Sequence, residues 1–123
     1  MFDISFAGIG NEGGTTFLAG AGIDETSLNH VGKLSAAQTI DECDAEDVFY
    51  GVIDHVDLAN EVLTLERNGF KEVPYTGSIT PGWVELVGDG AGGVKEPASA
   101  GTGRMFHVVE VDSDNSLLML DLG

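Results

Sequence analysis

Residues 61–75 read EVLTLERNGFKEVPY, two segments of strand-like composition separated by the pair Asn68 and Gly69. Alternating apolar positions rich in β-branched and aromatic residues are typical of strands. Asn-Gly is a favoured central pair of a type I′ turn, which joins two antiparallel strands. The stretch therefore predicts a β-hairpin in which Glu66 lies opposite Lys71, an acid-base pair that cross-strand energetics favour.

Further strand-like segments lie on the C-terminal and N-terminal sides of this stretch. Turn signals separate them at intervals of roughly 8–12 residues, which is typical of sandwiches and small barrels. The other predicted strands are residues 48–56, 82–87, 94–95, 105–111 and 117–122. The sequence predicts an all-β fold, a small single-domain β-barrel or β-sandwich, with one short helix near residues 39–47, where acids crowd a helix start.

The N-terminal segment, residues 1–27, is interrupted by six glycines between positions 8 and 22. Such a segment buries little apolar surface by itself. We expect residues 1–27 to form an extended glycine-rich N-terminal arm ordered by a partner, and residues 28–123 to form the β domain; an unordered terminus is the alternative. The apolar side chains expected to contact that partner are Phe2, Ile4, Phe6, Ile9, Phe17 and Leu18.

Charge limits the classes of partner. The 123 residues include 21 acids and five bases, for a formal net charge of −16, with a hydrophobic fraction of 42%. Proteins that bind nucleic acids or anionic membranes usually do so through clusters of Lys and Arg. This chain has few bases, so neither is an expected partner. A chain of this length can form one domain with a real core, so the acids should cover a folded surface. A halophilic origin would explain the same excess of acids.

Targeting signals are not recognised in the sequence. No stretch approaches the roughly 20 apolar residues that cross a bilayer. The N-terminus also lacks the basic start of a secretory signal peptide. These observations favour a protein made and kept outside the secretory route.

Glycine motifs give no support for nucleotide binding. Residues 8–13 and 88–93 both fit G-x-G-x-x-G. A dinucleotide site needs a helix directly after this motif, whose N-terminus meets the pyrophosphate. Neither segment precedes a predicted helix, and the surrounding negative charge would repel phosphate, so no cofactor is expected.

Catalytic and zinc-binding patterns are also not found. His30, His55 and His107 are far apart in the sequence and lack the close pairs typical of zinc ligands. Cys43 has an acid on each side, and both charges should raise the thiol pKa and lower its reactivity. We therefore expect no enzymatic activity, no catalytic residue and no metal ligand.

Weak cation binding is the chemical alternative that the residues leave open. Residues 41–47 hold five acids in seven positions, and residues 112–115 begin like an EF-hand loop. That loop lacks the glycine at its sixth position and the distal glutamate. A solvated acidic surface is the preferred interpretation.

The part of the chain from residue 48 onward resembles a known family. Val-Phe-Tyr-Gly-Val-Ile at residues 48–53, Val-Pro-Tyr-Thr-Gly-Ser at 73–78 and Leu-Val-Gly-Asp-Gly-Ala-Gly-Gly-Val-Lys at 86–95 are similar to motifs of the small decoration proteins of tailed-phage capsids. Residues 106–112 correspond to the valine-rich closing strand of that family. The shared motifs are turns and strands rather than catalytic signatures.

The resemblance implies a virion structural protein that binds the outside of an assembled capsid and stabilises it. Its partner would be the major capsid protein, and its location the outer capsid surface, after synthesis in the host cytoplasm. Such proteins often form homotrimers, and apolar residues on both faces of residues 117–120 favour the same state here. Residues 1–40 match nothing in the family, so the resemblance does not imply how the protein attaches.

Two alternatives to a decoration protein remain. The first is a carbohydrate- or host-surface-binding β-module of a virion, because Trp83 and Tyr75 flank one loop and could present aromatic rings to a ligand. The second is another structural component of a phage head or tail. The sequence does not separate this second alternative from decoration.

Overall fold

The computed structural model describes residues 14–123, which form ten β-strands and one short 3-10 helix. The strands are β1 Gly14–Ala19, β2 Val31–Ala36, β3 Thr39–Glu42, β4 Gly51–Asp57, β5 Val62–Glu66, β6 Phe70–Pro74, β7 Gly82–Gly88, β8 Val94–Lys95, β9 Arg104–Asp112 and β10 Leu117–Asp121, and the helix is η1 Glu25–Ser27. The predicted all-β fold is confirmed.

The strands form two sheets of five, each made from one half of the described chain. The first sheet has the order β1-β3-β2-β4-β5 and curls so far that β1 also pairs with β5, which closes it into a barrel. The second sheet has the order β6-β10-β9-β7-β8. The chain therefore completes the barrel before it begins the second sheet.

Two apolar clusters form the core. One cluster fills the barrel and consists of Phe17, Ile23, Ile40, Ile53, Leu63 and Leu65. The other combines residues of both sheets: Val31, Cys43, Phe49, Val52, Val73, Ile79, Leu86, Val94, Phe106, Val108, Leu118 and Leu120. Within this inter-sheet core the rings of Phe49 and Phe106 stack with their centres 4.9 Å apart. The stack joins the loop before β4 to the second sheet.

The predicted hairpin around Asn68 and Gly69 is wrong. β5 pairs with β1 and β4, whereas β6 pairs with β10, so the segment between them crosses from one sheet to the other. A type I′ turn needs positive φ at both central residues, but here Gly69 has a φ of 83° and Asn68 is not among the positive-φ residues. Both edges of β5 are already paired in the barrel, so β6 has no position beside it.

The predicted hairpins later in the chain are confirmed. β7 pairs with β8 across the glycine-rich turn 88–93, and β9 pairs with β10 around residues 112–115. On β10 the alternation of side chains is clear, because Leu118 and Leu120 are buried while Leu117 and Met119 are half-buried on the opposite side. The apolar run at 117–120 thus has one face in the core and one face near the surface.

Residues 14–27 of the predicted arm lie in the β domain. β1 pairs with β5 on one side and with β3 on the other, and Phe17 is buried in the barrel core. Residues 15–18 are β-branched, aromatic and apolar, which favours a strand despite the glycines around them. The remainder of the arm prediction concerns residues 1–13, which lie outside the described residues.

The helix expected near residues 39–47 is also not formed. Residues 39–42 form β3 instead, and Ile40 is fully buried where it pairs with Leu34 of β2. Burial of Ile40 in the barrel core outweighs the weak preference of the neighbouring acids for a helix start. The acids that follow it lie in the connection to β4.

Replacement of Phe17 by alanine tests whether β1 belongs to the core. Phe17→Ala should lower the free energy of unfolding by about 3 kcal/mol or more, because it removes a buried ring from the barrel. Leu18→Ala, at the half-buried neighbouring position, is the matched control and should cost clearly less. Urea unfolding of the three proteins measures both effects. Equal, small losses in the two variants would show that β1 does not contribute to the core.

Candidate protein-binding surface

The second sheet turns one face away from the inter-sheet core. In its register, Asp121 of β10 lies opposite both Phe70 of β6 and His107 of β9, and His107 lies opposite Trp83 of β7. These four residues therefore form one row across four adjacent strands. Because neighbouring strands are about 4.8 Å apart, the row extends about 14 Å from Phe70 to Trp83.

The apolar residues of this face are unusually accessible. Phe70 is 65% exposed and Trp83 is 59% exposed, and Met105 and Val109 of β9 are 42% and 53% exposed. We call Phe70, Trp83, Met105, His107 and Val109 the outer aromatic face. Aromatic residues and methionine are enriched at protein interfaces, so a protein surface is the ligand that this face best fits.

Strand alternation explains why β9 contributes to both the core and the outer aromatic face. Phe106 and Val108 point inward and are buried, so Met105 and His107 between them point outward. The register with β10 shifts beside Val109, which has no cross-strand partner there. A shift of this kind is typical of a β-bulge and leaves Val109 on the surface.

Two contacts hold the outer aromatic face in position. The rings of Trp83 and His107 are 4.5 Å apart at an angle of 49°, so each limits the orientation of the other. The Glu85 carboxylate accepts hydrogen bonds from the backbone N–H groups of Gly101 and Gly103 at 2.8–3.0 Å. Glu85 thereby fixes the loop 96–103 at the end of β7 and β9.

Of the contact residues predicted from the sequence, Phe17 and Leu18 fall within the described part of the chain. Phe2, Ile4, Phe6 and Ile9 are outside the described residues. Phe17 is buried and its ring meets that of Tyr50 edge-on, with centres 5.9 Å apart. Leu18 is half-buried on β1, and its backbone N–H donates to the carbonyl of Gln38. Phe17 therefore supports the barrel and is not available to a partner in this fold.

Sequence patterns alone do not reveal the outer aromatic face. Its members come from three strands that are distant along the chain, and only the order β6-β10-β9-β7 brings them together. The one sequence signal was in residues 105–109, where apolar residues occur on both faces of the predicted strand.

The two aromatic residues considered for carbohydrate binding are separated by the sheet. Trp83 is exposed on the outer aromatic face, whereas Tyr75 packs against the inter-sheet core. Tyr75 also bridges to Val94, the residue that begins β8. The two rings do not form one platform.

The histidines occupy three different environments. The Nδ1 atom of His30 is 2.8 Å from an oxygen of Glu42, His55 is exposed on β4, and His107 belongs to the outer aromatic face. Within residues 14–123 no group of three or more His, Cys, Asp or Glu side chains could hold a metal ion.

The acids of residues 41–47 contact bases and backbone donors. Lys33 pairs with Asp47 at 2.7 Å and with Asp44 at 3.3 Å, and Lys95 pairs with Glu46. The Lys33 ammonium group is the main reason that the pKa of Asp47 lies below its ordinary value. This segment is therefore tied to β2 and β8 by ion pairs.

The second glycine motif forms the turn between β7 and β8. One carboxylate oxygen of Asp89 accepts hydrogen bonds from the N–H groups of Ala91 and Gly93, at 2.7 and 3.0 Å. A side chain on Gly92 would overlap the ring of His30. The glycines of this turn thus permit close packing. The first motif, residues 8–13, lies outside the described residues.

Cys43 is buried in the inter-sheet core. Burial, and next the charge of Asp47, raises the pKa of the Cys43 thiol from its ordinary 9.0 to about 12. The expected direction of the shift is confirmed, but burial contributes more than the two adjacent acids that the sequence suggested.

No protein-family model matches the chain, and no curated protein is significantly similar to it.

In the described part of the chain, no helix combines the length and apolar character that a membrane span requires.

The raised pKa of Cys43 predicts slow thiol labelling. Below about pH 9 the folded and the unfolded thiol are both protonated, and between 9 and about 12 only the unfolded thiol ionises, so this group lowers stability as pH rises through that range. We expect Cys43 to resist iodoacetamide at pH 9 in the native protein and to react rapidly in denaturant. Mass spectrometry measures the modified fraction, with Cys43→Ser as the blank. Equal rates in both states would show that the thiol is accessible.

Proposed function

We propose that this protein is a capsid decoration protein, a virion structural protein that binds the outside of an assembled capsid and stabilises it. The observation that carries the proposal is the outer aromatic face, where Phe70 and Trp83 remain 65% and 59% exposed on a chain of net charge −16. The resemblance of residues 48–95 to tailed-phage decoration proteins supports the same function.

The outer aromatic face suits attachment to a capsid lattice. Its exposed members lie on one face of one sheet, on β6, β9 and β7, with Asp121 of β10 between Phe70 and His107, so they can contact a broad protein surface together. Buried aromatic side chains each contribute roughly 150–250 Å² of contact area and dominate interface energetics. The proposed partner is the major capsid protein, which presents the same surface many times on one shell.

The capsid would be stabilised because the protein binds the assembled shell in preference to the separate subunits. A ligand that binds the assembled shell but not the dissociated subunits favours the shell by mass action. The acids of the protein would face solvent on the decorated capsid, where like charge keeps neighbouring particles apart and soluble.

We also propose that the bound protein is a homotrimer. Three linked copies would contact the lattice together, and the second and third contacts would then be intramolecular. The half-buried Leu117 and Met119 lie on the outward side of β10, between β6 and β9, so contact between copies there would adjoin the capsid contact on the same face of the second sheet.

Substitution within the outer aromatic face tests the proposed attachment. Phe70→Ser combined with Trp83→Ser should weaken binding to undecorated capsids by at least about tenfold, because both side chains are expected to be buried in the contact. Leu58→Ser is the control, since Leu58 is 44% exposed on the connection between β4 and β5. Co-sedimentation measures binding, and melting curves should change little because these residues are exposed. Full binding by the double variant would contradict the proposed surface.

Salt dependence distinguishes apolar from electrostatic attachment. The Debye length falls from about 10 Å at 0.1 M to about 3 Å at 1 M salt, so repulsion between neighbouring acidic copies is screened. Apolar contact through the outer aromatic face predicts that capsid occupancy stays constant or rises over this range. Co-sedimentation at both concentrations gives the occupancy. A steep fall in occupancy would indicate instead that the acids bind a basic capsid surface.

A further inference from the structure

An open cleft lies where β2, the loop before β4, Arg67 and the start of β9 meet. It has a volume of about 470 Å³, and Lys33, Arg67 and Arg104 all line it. Three of the five bases in the chain therefore lie around one cavity, although acids outnumber bases by 21 to five. This concentration of bases distinguishes the cleft from the rest of a strongly acidic protein.

The two arginines of the cleft have no carboxylate partner among residues 14–123. Lys33, Lys71 and Lys95 each form an ion pair with an Asp or Glu, but neither Arg67 nor Arg104 does. In a chain with four times as many acids as bases, surface arginines would ordinarily find an acidic neighbour. Their lack of a described acidic partner leaves both charges available to a ligand.

Aromatic rings and one backbone carbonyl position the guanidinium groups. The Arg67 guanidinium carbon lies 3.9 Å from the centre of the Tyr50 ring, and its Nε–H donates to the Tyr50 carbonyl at 3.3 Å. The Arg104 guanidinium carbon lies 5.1 Å from the centre of the Phe106 ring. Stacking on a ring orients a guanidinium group without neutralising it, because the terminal N–H groups remain donors.

The remaining charges of the cleft cancel one another. Asp47 is the acid in the lining, and Lys33 binds it at 2.7 Å. The unpaired charge of the lining is therefore that of Arg67 and Arg104. Two apolar side chains stand beside these bases, since Leu34 is 47% exposed and Val48 is 46% exposed in the same lining.

We propose that the cleft binds a carboxylate carried by an apolar segment of a partner polypeptide. The planar guanidinium fork matches a carboxylate through paired, charge-assisted hydrogen bonds. Leu34 and Val48 provide contacts for apolar residues on either side of that carboxylate. A nucleic acid is disfavoured, because a polyanion would be repelled by the net charge of −16, whereas a single carboxylate can pair with one arginine of the cleft.

This inference does not depend on the proposed decoration function. Arg104 lies on the inward side of β9 with Phe106, whereas Met105 and His107 lie on the outward side. The cleft and the outer aromatic face are therefore separate surfaces, and substitutions can abolish binding at one without affecting binding at the other.

Titration of the full-length, 15N-labelled protein with a defined peptide tests the cleft by NMR. The probe is acetyl-Leu-Asp-Leu-amide, and the matched control peptide is acetyl-Leu-Asn-Leu-amide, which has the same shape without the charge. We expect saturable shifts of the Arg67 and Arg104 Nε–H signals with a dissociation constant on the order of 1 mM. The asparagine peptide should bind at least about tenfold more weakly, because it lacks charge-assisted hydrogen bonds.

Variants locate the binding. Arg67→Gln with Arg104→Gln should weaken binding of the Asp peptide by about tenfold or more. Lys71→Gln with Lys95→Gln, which removes the same two positive charges outside the cleft, should leave that binding unchanged. Arg67→Lys with Arg104→Lys keeps both positive charges and serves as a second variant in case the Gln variant does not fold. It should bind the Asp peptide more weakly than the natural chain, because lysine lacks the planar guanidinium group that pairs with a carboxylate.

Three results would overturn the proposal: equal binding of both peptides, undiminished binding by the Gln variant, or no saturable shift. Inorganic phosphate is the final comparison. Tighter binding of phosphate than of the Asp peptide would assign the cleft to small anions instead of a polypeptide.

Discussion

The stack of Phe49 on Phe106 is the contact on which the arrangement of the molecule depends. Each sheet is made from one half of the described chain, so few strand pairings connect them and the inter-sheet core must do so. An aromatic pair of this kind contributes roughly 0.5–1.5 kcal/mol beyond the burial of its area. Phe49 also lines the cleft, and Phe106 supports Arg104, so the same stack sets the geometry of the proposed peptide site.

The lysines and the arginines of this protein have different neighbours. The lysines hold acidic segments in place, as in the pairs of Lys33 with Asp47 and of Lys71 with Asp54. The arginines instead stack on aromatic rings and stay unpaired within residues 14–123. An acidic protein with an exposed aromatic face is suited to attachment to a crowded protein lattice, because its net charge opposes aggregation while the aromatic side chains provide contact area.

Local sequence predicted the strands far better than their partners. The strands from β4 to β10 were located to within about three residues, because alternation and turn residues are local signals. The short turns after β7 and β9 also gave the correct hairpins. The hairpin predicted at Asn68 and Gly69 was wrong because a favoured turn pair carries no information about distant strands. Both edges of β5 are occupied by β1 and β4. The candidate surfaces could not be predicted, since Phe70 and Trp83 come to lie in one row only through the strand order of the second sheet.

The central claim is that the protein binds the outside of a capsid through the second sheet. Electron cryomicroscopy of undecorated capsids incubated with the purified protein tests it most directly. The account predicts added density on the outer shell surface at regular lattice positions, with β6, β7 and β9 facing the major capsid protein and Trp83 and Phe70 in the contact. Capsids without added density, or density in which the outer aromatic face points to solvent, would contradict the account.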